Sequence, residues 1–507
     1  MFGNFRCWGR VLPMIALVSG SGLASAESWR VVPSIGLEST LTNNVNLSPN
    51  RISDWVNQLT PGVRFNETSA HTQLNGAIAV PVLLYARTSE NNRVVPEANI
   101  AGTLEAIDKF LFVDANASVS QQFQTPFGAR SASLANATQN RYTAQSYSLS
   151  PYIKGNMPGS LSYQLRDTNT WSDANASSIG SGRSYVNEIN GFVTRAPTPL
   201  GWTFEYDRSD LQFSDQQSQI TEIGRLRGLD RIDPTVELSV SIGYEDNRFF
   251  LTEERGTTYG AGVRWRPSDR TTVRANWEHR FFGSAYDVAV DHSTRLTVWS
   301  LSASRNISSY PQQLATLPQG GNVDALLNAL YATRIVDPIQ RQTLVDQLIR
   351  DRGLPSVLPG AVPLLAQQNT LFETATATLG LLGARNSIFF NAFRSRSEPV
   401  EDLQGGTFAL LGSDININNT QIGANATWTH QLTASLTLAT NIGWSRATDN
   451  TNAGAATRLY SLQTYLSTPL SAMTSVYGGA RYQNSRSNQS ESFHEAAVFV
   501  GLTHTFH

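Results

Sequence analysis

The sequence predicts an all-β fold, a transmembrane antiparallel up-and-down β-barrel of about 22 strands (range 18–24) with a small helical loop insertion. Three observations predict it. Segments of about ten residues alternate apolar and polar side chains from Arg30 to Phe506. Short and long turns follow one another between these segments. Charged residues make up 15% of the chain and aromatic residues 9%, a composition too poor in charge and too rich in aromatics for a disordered chain.

Residues 1–26 are predicted to be a secretory signal peptide. Arg6 and Arg10 precede an apolar core at 11–18, and Ala24-Ser25-Ala26 forms the expected cleavage site. The only cysteine, Cys7, lies in this leader, so the exported chain is expected to hold no disulfide and no thiolate site. No later stretch reaches the roughly 18 uninterrupted apolar residues that a spanning helix requires. The formal net charge of -2 does not suggest nucleic-acid binding.

The strand segments show a period of two, which gives each strand one apolar and one wet face. The clearest are 111–120, 236–245 and 435–444. Short turns contain Pro, Gly, Asp or Asn and occur at 157–159, 197–199, 233–234, 267–269, 383–386 and 468–469. Long polar loops occur at 125–145, 397–415, 447–456 and 485–491. This asymmetry is typical of an outer-membrane barrel of a Gram-negative bacterium, with short turns and both termini on the periplasmic side.

The stretch 307–370 breaks the rhythm with helical signals. Asp337 is an expected N-cap, Pro338 the first helical residue, and Gly353 and Pro355 the end of the helix. Its apolar face is formed by Leu344, Val345, Leu348 and Ile349, and a shorter preceding helix carries Leu326, Leu327 and Leu330. We expect an insertion that is an extracellular lid or a lumen-occluding loop. The strand count places this insertion on the extracellular side of the membrane, provided that 281–283 is an extracellular turn and 292–295 a periplasmic turn.

The last strand carries a predicted membrane-insertion signal. Its apolar face consists of Val498, Val500, Leu502 and Phe506. Outer-membrane barrels resemble one another in such a final strand closed by an aromatic residue, which the barrel assembly machinery recognises; here the aromatic is penultimate, before His507. The alternative, an edge strand of a soluble sandwich, leaves the leader and the rim asymmetry unexplained. Interfacial girdles are expected at Trp202, Trp265, Trp277, Trp444 and Tyr482.

Several short motifs resemble the outer-membrane protein family associated with PEP-CTERM and exosortase systems. They are 42–47 followed by 59–62, then 111–115, 279–283, 383–387 and 394–396. The resemblance implies a barrel encoded beside exopolysaccharide export genes, and it implies no established activity.

Charged residues on the polar faces of 203–280 predict a lumenal ladder of Arg–carboxylate pairs, because the sign alternates from strand to strand. The candidates are Glu205, Asp207, Arg225, Arg227, Glu237, Glu245, Arg264, Arg266, Arg274, Glu278 and Arg280. The ladder is interpreted either as a selectivity wall for a polar or anionic solute or as a device that fixes strand register. Complementary pairs favour the second interpretation, whereas arginines without acidic partners would indicate an anion filter.

No catalytic, cofactor-binding or metal site is predicted, and the chain is expected not to be an enzyme. The seven histidines are scattered without metal-ligand spacing. The run 449–452 is interpreted as a solvated loop tip, with calcium binding as the alternative.

The leading functional hypothesis is a porin-like channel or translocation pore linked to exopolysaccharide or surface-protein export. A first strand beginning near Trp29 leaves no room for an N-terminal plug, so the lumen is expected to be open or occluded by loops. One alternative is a barrel-anchored surface scaffold that binds polysaccharide or a partner protein without transport. A weaker one is a sheath around an electron-transfer partner. Expected partners are outer-membrane lipid, the assembly machinery and possible polysaccharide or export proteins, with no nucleic acid.

Overall fold

A computed structural model describes residues 29–176, 180–213, 218–316, 323–332, 334–335, 338–351, 358–363, 366, 368–401, 417–452 and 454–506. The predicted signal peptide, the predicted helix boundaries Asp337, Gly353 and Pro355, and His507 lie outside these residues. A single antiparallel sheet contains 25 strands. Three are short, Val82–Tyr85, Arg93–Val94 and Gly180–Ser181, and the others form the barrel.

The barrel strands are β1 (Arg30–Thr42), β2 (Asp54–Thr68), β3 (Thr72–Ala79), β4 (Glu97–Ile107), β5 (Leu111–Phe123), β6 (Arg141–Met157), β7 (Leu161–Ala176), β8 (Ser184–Arg195), β9 (Leu200–Phe213), β10 (Gln219–Asp233) and β11 (Val236–Arg248). They continue with β12 (Glu253–Ser268), β13 (Thr271–Arg280), β14 (Gly283–Ser293), β15 (Thr297–Ser308), β16 (Thr370–Leu382), β17 (Asn386–Pro399), β18 (Asn419–Gln431), β19 (Thr437–Asp449), β20 (Ala456–Pro469), β21 (Thr474–Ser487) and β22 (Phe493–Thr505).

Closure of the barrel comes from pairing of the last strand with the first. β22 runs antiparallel to β1 from Thr505 opposite Ser34 to Ala497 opposite Thr42. Each remaining barrel strand pairs with the strands before and after it in the chain. The predicted closed barrel of 22 strands is confirmed. Closure matters because an unpaired strand edge would expose backbone hydrogen-bonding groups to lipid.

The two rims of the barrel differ in the length of their connections. On the rim where β1 begins and β22 ends, called here the short-turn rim, adjacent strands are joined by two to five residues. The opposite, long-loop rim carries connections such as 43–53, 80–96, 124–140, 309–369 and 400–418. The turn at 281–282 lies on the long-loop rim and the turn at 294–296 on the short-turn rim, as expected from the sequence.

The outer face of the barrel is apolar because alternate residues of each strand point away from the lumen. On β11, Leu238, Val240, Ile242 and Tyr244 are each between 41% and 68% exposed, while Glu245 on the other face is buried. The expected girdle residues Trp202, Trp265, Trp277 and Tyr482 are exposed on this outer face, and Trp444 is half-buried. An apolar exterior around a polar interior is the arrangement that lipid requires of a barrel.

The helices lie between β15 and β16. They are α1 (Tyr310–Thr316), α2 (Val323–Tyr331) and α3 (Pro338–Asp351). α3 begins at Pro338 as predicted, and α2 buries Leu326, Leu327 and Leu330. α1 was not predicted, because its sequence YPQQLAT has no helical apolar period. No helix in the described part of the chain is long and apolar enough to span a membrane.

Several predicted boundaries require correction. The loops predicted at 397–415, 447–456 and 485–491 are the connections 400–418, 450–455 and 488–492. Two more corrections concern the insertion and the loop after β5. β15 continues to Ser308, so the insertion is 309–369 rather than 307–370. The loop predicted at 125–145 is 124–140, because Arg141 already pairs with Phe123. Both errors arise from polar residues at strand ends, which resemble loop residues in the sequence but continue the ladder of hydrogen bonds.

Candidate functional site

The described residues of the insertion 309–369 contact the lumenal side of the barrel wall. The hydroxyl oxygens of Tyr310 in α1 and Tyr142 in β6 lie 2.5 Å apart, and both residues are buried. The side-chain amide of Gln312 donates a hydrogen bond of 2.6 Å to Glu188 of β8. β6 and β8 are nine and seven strands away from β15 around the wall. Gln313 of α1 also donates a hydrogen bond of 3.0 Å to Thr370 of β16, so α1 connects the wall at β16 with the wall at β6 and β8.

α2 lies at the opposite end of the lumen. Leu327, which is fully buried, belongs to an apolar cluster that includes Val298, Leu382 and Phe389. These three wall residues lie at the short-turn ends of β15, β16 and β17. The Arg334 guanidinium after α2 also donates a hydrogen bond of 2.8 Å to the carbonyl of Arg295 in a short turn. The insertion thus reaches from the long-loop rim to the short-turn rim.

Residues 358–363, in the connection from α3 to β16, lie along β17 and β18. The carbonyl of Pro359 accepts hydrogen bonds of 3.0 Å from the side chains of Asn391 and Asn425. The backbone of Val362 pairs with the Gln421 side chain through bonds of 2.9 and 3.0 Å. Of the two predicted roles, a lid or a lumen-occluding loop, these contacts correspond to the lumen-occluding loop.

Loop 124–140 also folds inward, from β5 and β6 toward β19–β22. The Arg481 guanidinium and the Glu495 carboxylate form an ion pair of 2.8 Å in which both side chains are at most 5% exposed. Asn136 of the loop donates to the same carboxylate at 3.3 Å. Arg130 donates to Ser445 at 3.1 Å. Burial lowers the pKa of Arg130 to about 10, so its guanidinium remains charged at neutral pH.

A polar cavity of about 1180 Å³ remains between these two segments and the wall formed by β3–β8. Uncharged polar side chains, alanines and other apolar side chains share its wall with the charged residues Glu97, Arg141 and Glu188; the uncharged polar ones include Asn99, Asn116, Ser118, Ser146, Ser148 and Thr170. Pro311 and Gln312 of α1 border it on one side, and Ser131 and Leu134 of loop 124–140 on another.

The long-loop half of the candidate charge ladder is paired. Arg225 lies 2.9 Å from Asp207 and 2.8 Å from Glu278, which is three strands away. Glu245 and Arg280 form an almost fully buried pair at 2.8 Å. Arg227 and Glu205 are 3.3 Å apart. The Arg225–Glu278 pair reaches across two intervening strands, and the Glu245–Arg280 pair reaches across one. Such pairs can form only on the concave, lumenal side of the barrel wall.

The short-turn half departs from the expected alternation of sign. Arg264 lies opposite Arg274 in the register of β12 and β13, and its carboxylate partner Glu237 is 3.9 Å away. Arg266 and Arg274 are exposed to the lumen. Within the described residues neither guanidinium group makes an ion pair or hydrogen bond. The ladder is therefore complementary toward the long-loop rim and positive toward the short-turn rim.

This difference predicts distinct effects of two variants, one double and one single. R266E together with R274E is expected to shift the reversal potential of the channel toward cation selectivity in a salt gradient, because both arginines present charge to the lumen without acidic partners. R225Q is expected to leave the reversal potential nearly unchanged and to lower resistance to urea, because it leaves the partly buried carboxylate of Glu278 without its ion-pair partner. Equal shifts from both variants would contradict the division of the ladder.

The C-terminal strand places its predicted signal on the outside. Val498 and Val500 are each 55% exposed, Leu502 is half-buried and Phe506 is 46% exposed, whereas Phe499 is buried toward the lumen. The described histidines make separate contacts, among them His71 with Glu105, His279 with Tyr259, His292 with Thr271, His430 with Asn386 and His504 with Thr474. At 449–452, Asp449 accepts hydrogen bonds from the backbone of Thr451 and Asn452, which closes a tight loop tip.

Comparisons with known proteins give distant likenesses in fold. No known family profile matches the chain, and no curated protein matches it. The siderophore receptor PirA from Pseudomonas aeruginosa has a TM-score of 0.44 and 9% identity over 94% of this chain and 80% of the receptor. PirA from Acinetobacter baumannii has a TM-score of 0.44 at 10% identity, with coverage of 94% and 80%. OccK5 (OpdH) from P. aeruginosa has a TM-score of 0.32 at 8% identity, with coverage of 94% and 98%. Such similarity carries no argument about the activity of this chain.

Proposed function

We propose that the chain is an outer-membrane barrel, not an enzyme, that acts as a porin-like channel or translocation pore linked to the export of exopolysaccharide or a surface protein. The observation that carries the proposal is the polar cavity of about 1180 Å³ inside a closed barrel whose exterior is apolar. A polar interior with an apolar exterior suits a barrel that conducts hydrated solutes through lipid.

The lining of the cavity favours an uncharged, hydroxyl-rich solute. Ser, Thr, Asn and Gln side chains offer both donors and acceptors, which are the groups that sugar hydroxyls require. Toward the short-turn rim the wall also presents a stacked aromatic pair, Phe112 and Tyr152, with ring centroids 5.2 Å apart. The wall of β3–β8 also carries Glu97, Arg141 and Glu188, but its uncharged polar side chains outnumber these charged ones. We therefore propose a neutral sugar polymer as the solute that this wall suits.

The experiment is a flux assay in liposomes that contain the purified barrel. Neutral oligosaccharides of increasing length are expected to enter faster than they enter protein-free liposomes, and S118W with S148W is expected to slow entry by narrowing the cavity. The control N187W places a tryptophan on the outer face of β8, away from the cavity, and should leave entry unchanged. Entry at the protein-free rate, even after removal of the insertion, would contradict the channel.

The scaffold alternative is favoured by one observation, that both 124–140 and 309–369 occupy the lumen. Under that alternative the purified protein binds polysaccharide in a pull-down and no variant of the insertion allows flux. The same liposomes thus distinguish the two functions.

A further inference from the structure

An uncompensated row of arginines lies on the outer face near the long-loop rim. Arg446 of β19 is directly opposite Arg458 of β20, and Arg458 is directly opposite Arg486 of β21. All three lie at outward-facing positions, in line with exposed residues such as Ile442, Leu462 and Tyr482 farther down the same strands. Adjacent strands are about 4.8 Å apart, so three positive charges fall within about 10 Å.

Like charges directly opposite each other destabilise a sheet, and here nothing in the described part of the chain offsets them. None of the three guanidinium groups makes an ion pair or hydrogen bond there, and Nε of Arg446 is buried without a partner. Asp449 faces the lumen, where Gln489 donates to it. Glu491, in the turn after β21, makes no ion pair with the row.

On the opposite side of the barrel, outward-facing arginines near the long-loop rim do have acidic partners. Outward-facing Arg208 of β9 lies 3.9 Å from Glu222 of β10, and Arg255 of β12 lies 3.1 Å from Asp246 of β11. Outward charge near the long-loop rim is thus balanced by neighbouring carboxylates on β9–β12. The arginine row on β19–β21 has no such acidic partners in the described part of the chain. Its positive charge therefore suits the binding of an anion that is not part of the protein.

An apolar groove lies on the same face, closer to the middle of the strands. Its volume is about 550 Å³, and it is formed where small outward residues leave space between larger ones: Ala480 and Ala496 among Leu41, Leu462, Tyr482 and Val498. Trp444 and Tyr460, directly opposite each other, lie between the arginines and the level of the groove. From the long-loop rim toward the middle of the strands, the arginines come first, the aromatic pair second and the apolar groove third. A membrane lipid presents its charged headgroup, its interfacial region and its acyl chains in the same order.

We propose that β19–β22 and β1 form a binding site for a phosphorylated glycolipid of the outer leaflet, with its phosphates on Arg446, Arg458 and Arg486 and one acyl chain in the groove. Three neighbouring positive charges call for more than one phosphate on the headgroup, because a single phosphodiester carries one negative charge. This inference rests on the proposed location in the outer membrane.

The test uses the full-length barrel in zwitterionic detergent, titrated with diphosphoryl lipid A and followed by native mass spectrometry. R446Q/R458Q/R486Q is expected to weaken binding about 100-fold, and A480F to weaken it by closing the groove. R394Q is the matched control: Arg394 also faces outward on this rim but already pairs with Glu373 at 3.2 Å. Its effect should stay within about twofold, as for other exposed pairs.

Two further measurements make the result decisive. Without lipid, the triple variant is expected to unfold at the same or higher urea concentration than wild type, because like-charge repulsion is removed. With lipid A, wild type is expected to gain stability and the variant is not. Unchanged lipid A binding by the triple variant, equal binding of phosphatidylglycerol, or full competition by inorganic phosphate would overturn the proposal. Absence of the protein from the outer-membrane fraction of cells would instead refute the proposed function itself.

Discussion

Replacement of residues 309–369 by an Asn-Gly turn is expected to raise single-channel conductance in planar bilayers by about tenfold, since barrels of this width enclose an aqueous channel when they are not filled. The replacement is geometrically simple. Ser308 and Thr370 already lie directly opposite each other at the ends of β15 and β16, and a two-residue Asn-Gly turn is a favoured connection for such a pair. The Phe281-Phe282 turn shows that the same rim accepts a two-residue connection.

A point variant tests the same idea without shortening the chain. L327D places a charge in the fully buried cluster that attaches α2 to the wall, so it is expected to release α2 and increase conductance. A329D adds the same charge at an exposed position of α2 and should behave like wild type. A deletion variant that migrates as a folded barrel and keeps the wild-type conductance would show that 309–369 does not occlude the pore.

Substitution E495Q is expected to destabilise the barrel by about 3–5 kcal/mol, the usual cost of removing one partner from a buried ion pair. Glu495 is fully buried, and its carboxylate accepts hydrogen bonds from Arg481, Gln483, Thr42 and Asn136. It therefore joins the first strand, the last two strands and loop 124–140. Loss of its charge leaves the Arg481 guanidinium buried without an anion.

Urea unfolding in lipid vesicles, followed by tryptophan fluorescence, measures this effect. E237Q is a suitable control because Glu237 pairs with Arg231 and Arg264 at 3.4 and 3.9 Å, and both arginines are nearly half-exposed. Its expected cost is below about 1 kcal/mol. Similar unfolding midpoints for the two variants would contradict the structural role of Glu495 at the closure of the barrel.

Strand order and number were predictable because the alternation of apolar and polar residues is a local property. The segment 236–245 identifies its own lipid-facing and lumenal sides, and the first and last strands need only be next to each other to close the barrel. The strand ends at Ser308 and Arg141 were not predictable, since polar residues at the water-exposed end of a strand have no apolar alternation.

The path of the insertion could not be read from the sequence, because it depends on contacts between distant segments. Tyr310 and Tyr142 are separated by 168 residues, and nothing near either residue indicates the other. The pair Arg481 and Glu495 was accessible in principle. Both side chains lie on the lumenal face of neighbouring strands with opposite charge, which is the same rule that identified the ladder of residues 205–280.

The most direct test of an internally occluded barrel is a site-specific photo-crosslink in whole cells. A benzophenone side chain in place of Tyr142 is expected to crosslink to the peptide that contains Tyr310 and α1, because their hydroxyl groups are in hydrogen-bond contact across the lumen. The same probe in place of Tyr147, an exposed residue of the outer face of β6, should give no such peptide. Failure of the probe at 142 to capture 310–316, with crosslinks confined to neighbouring strands, would contradict the occluded lumen.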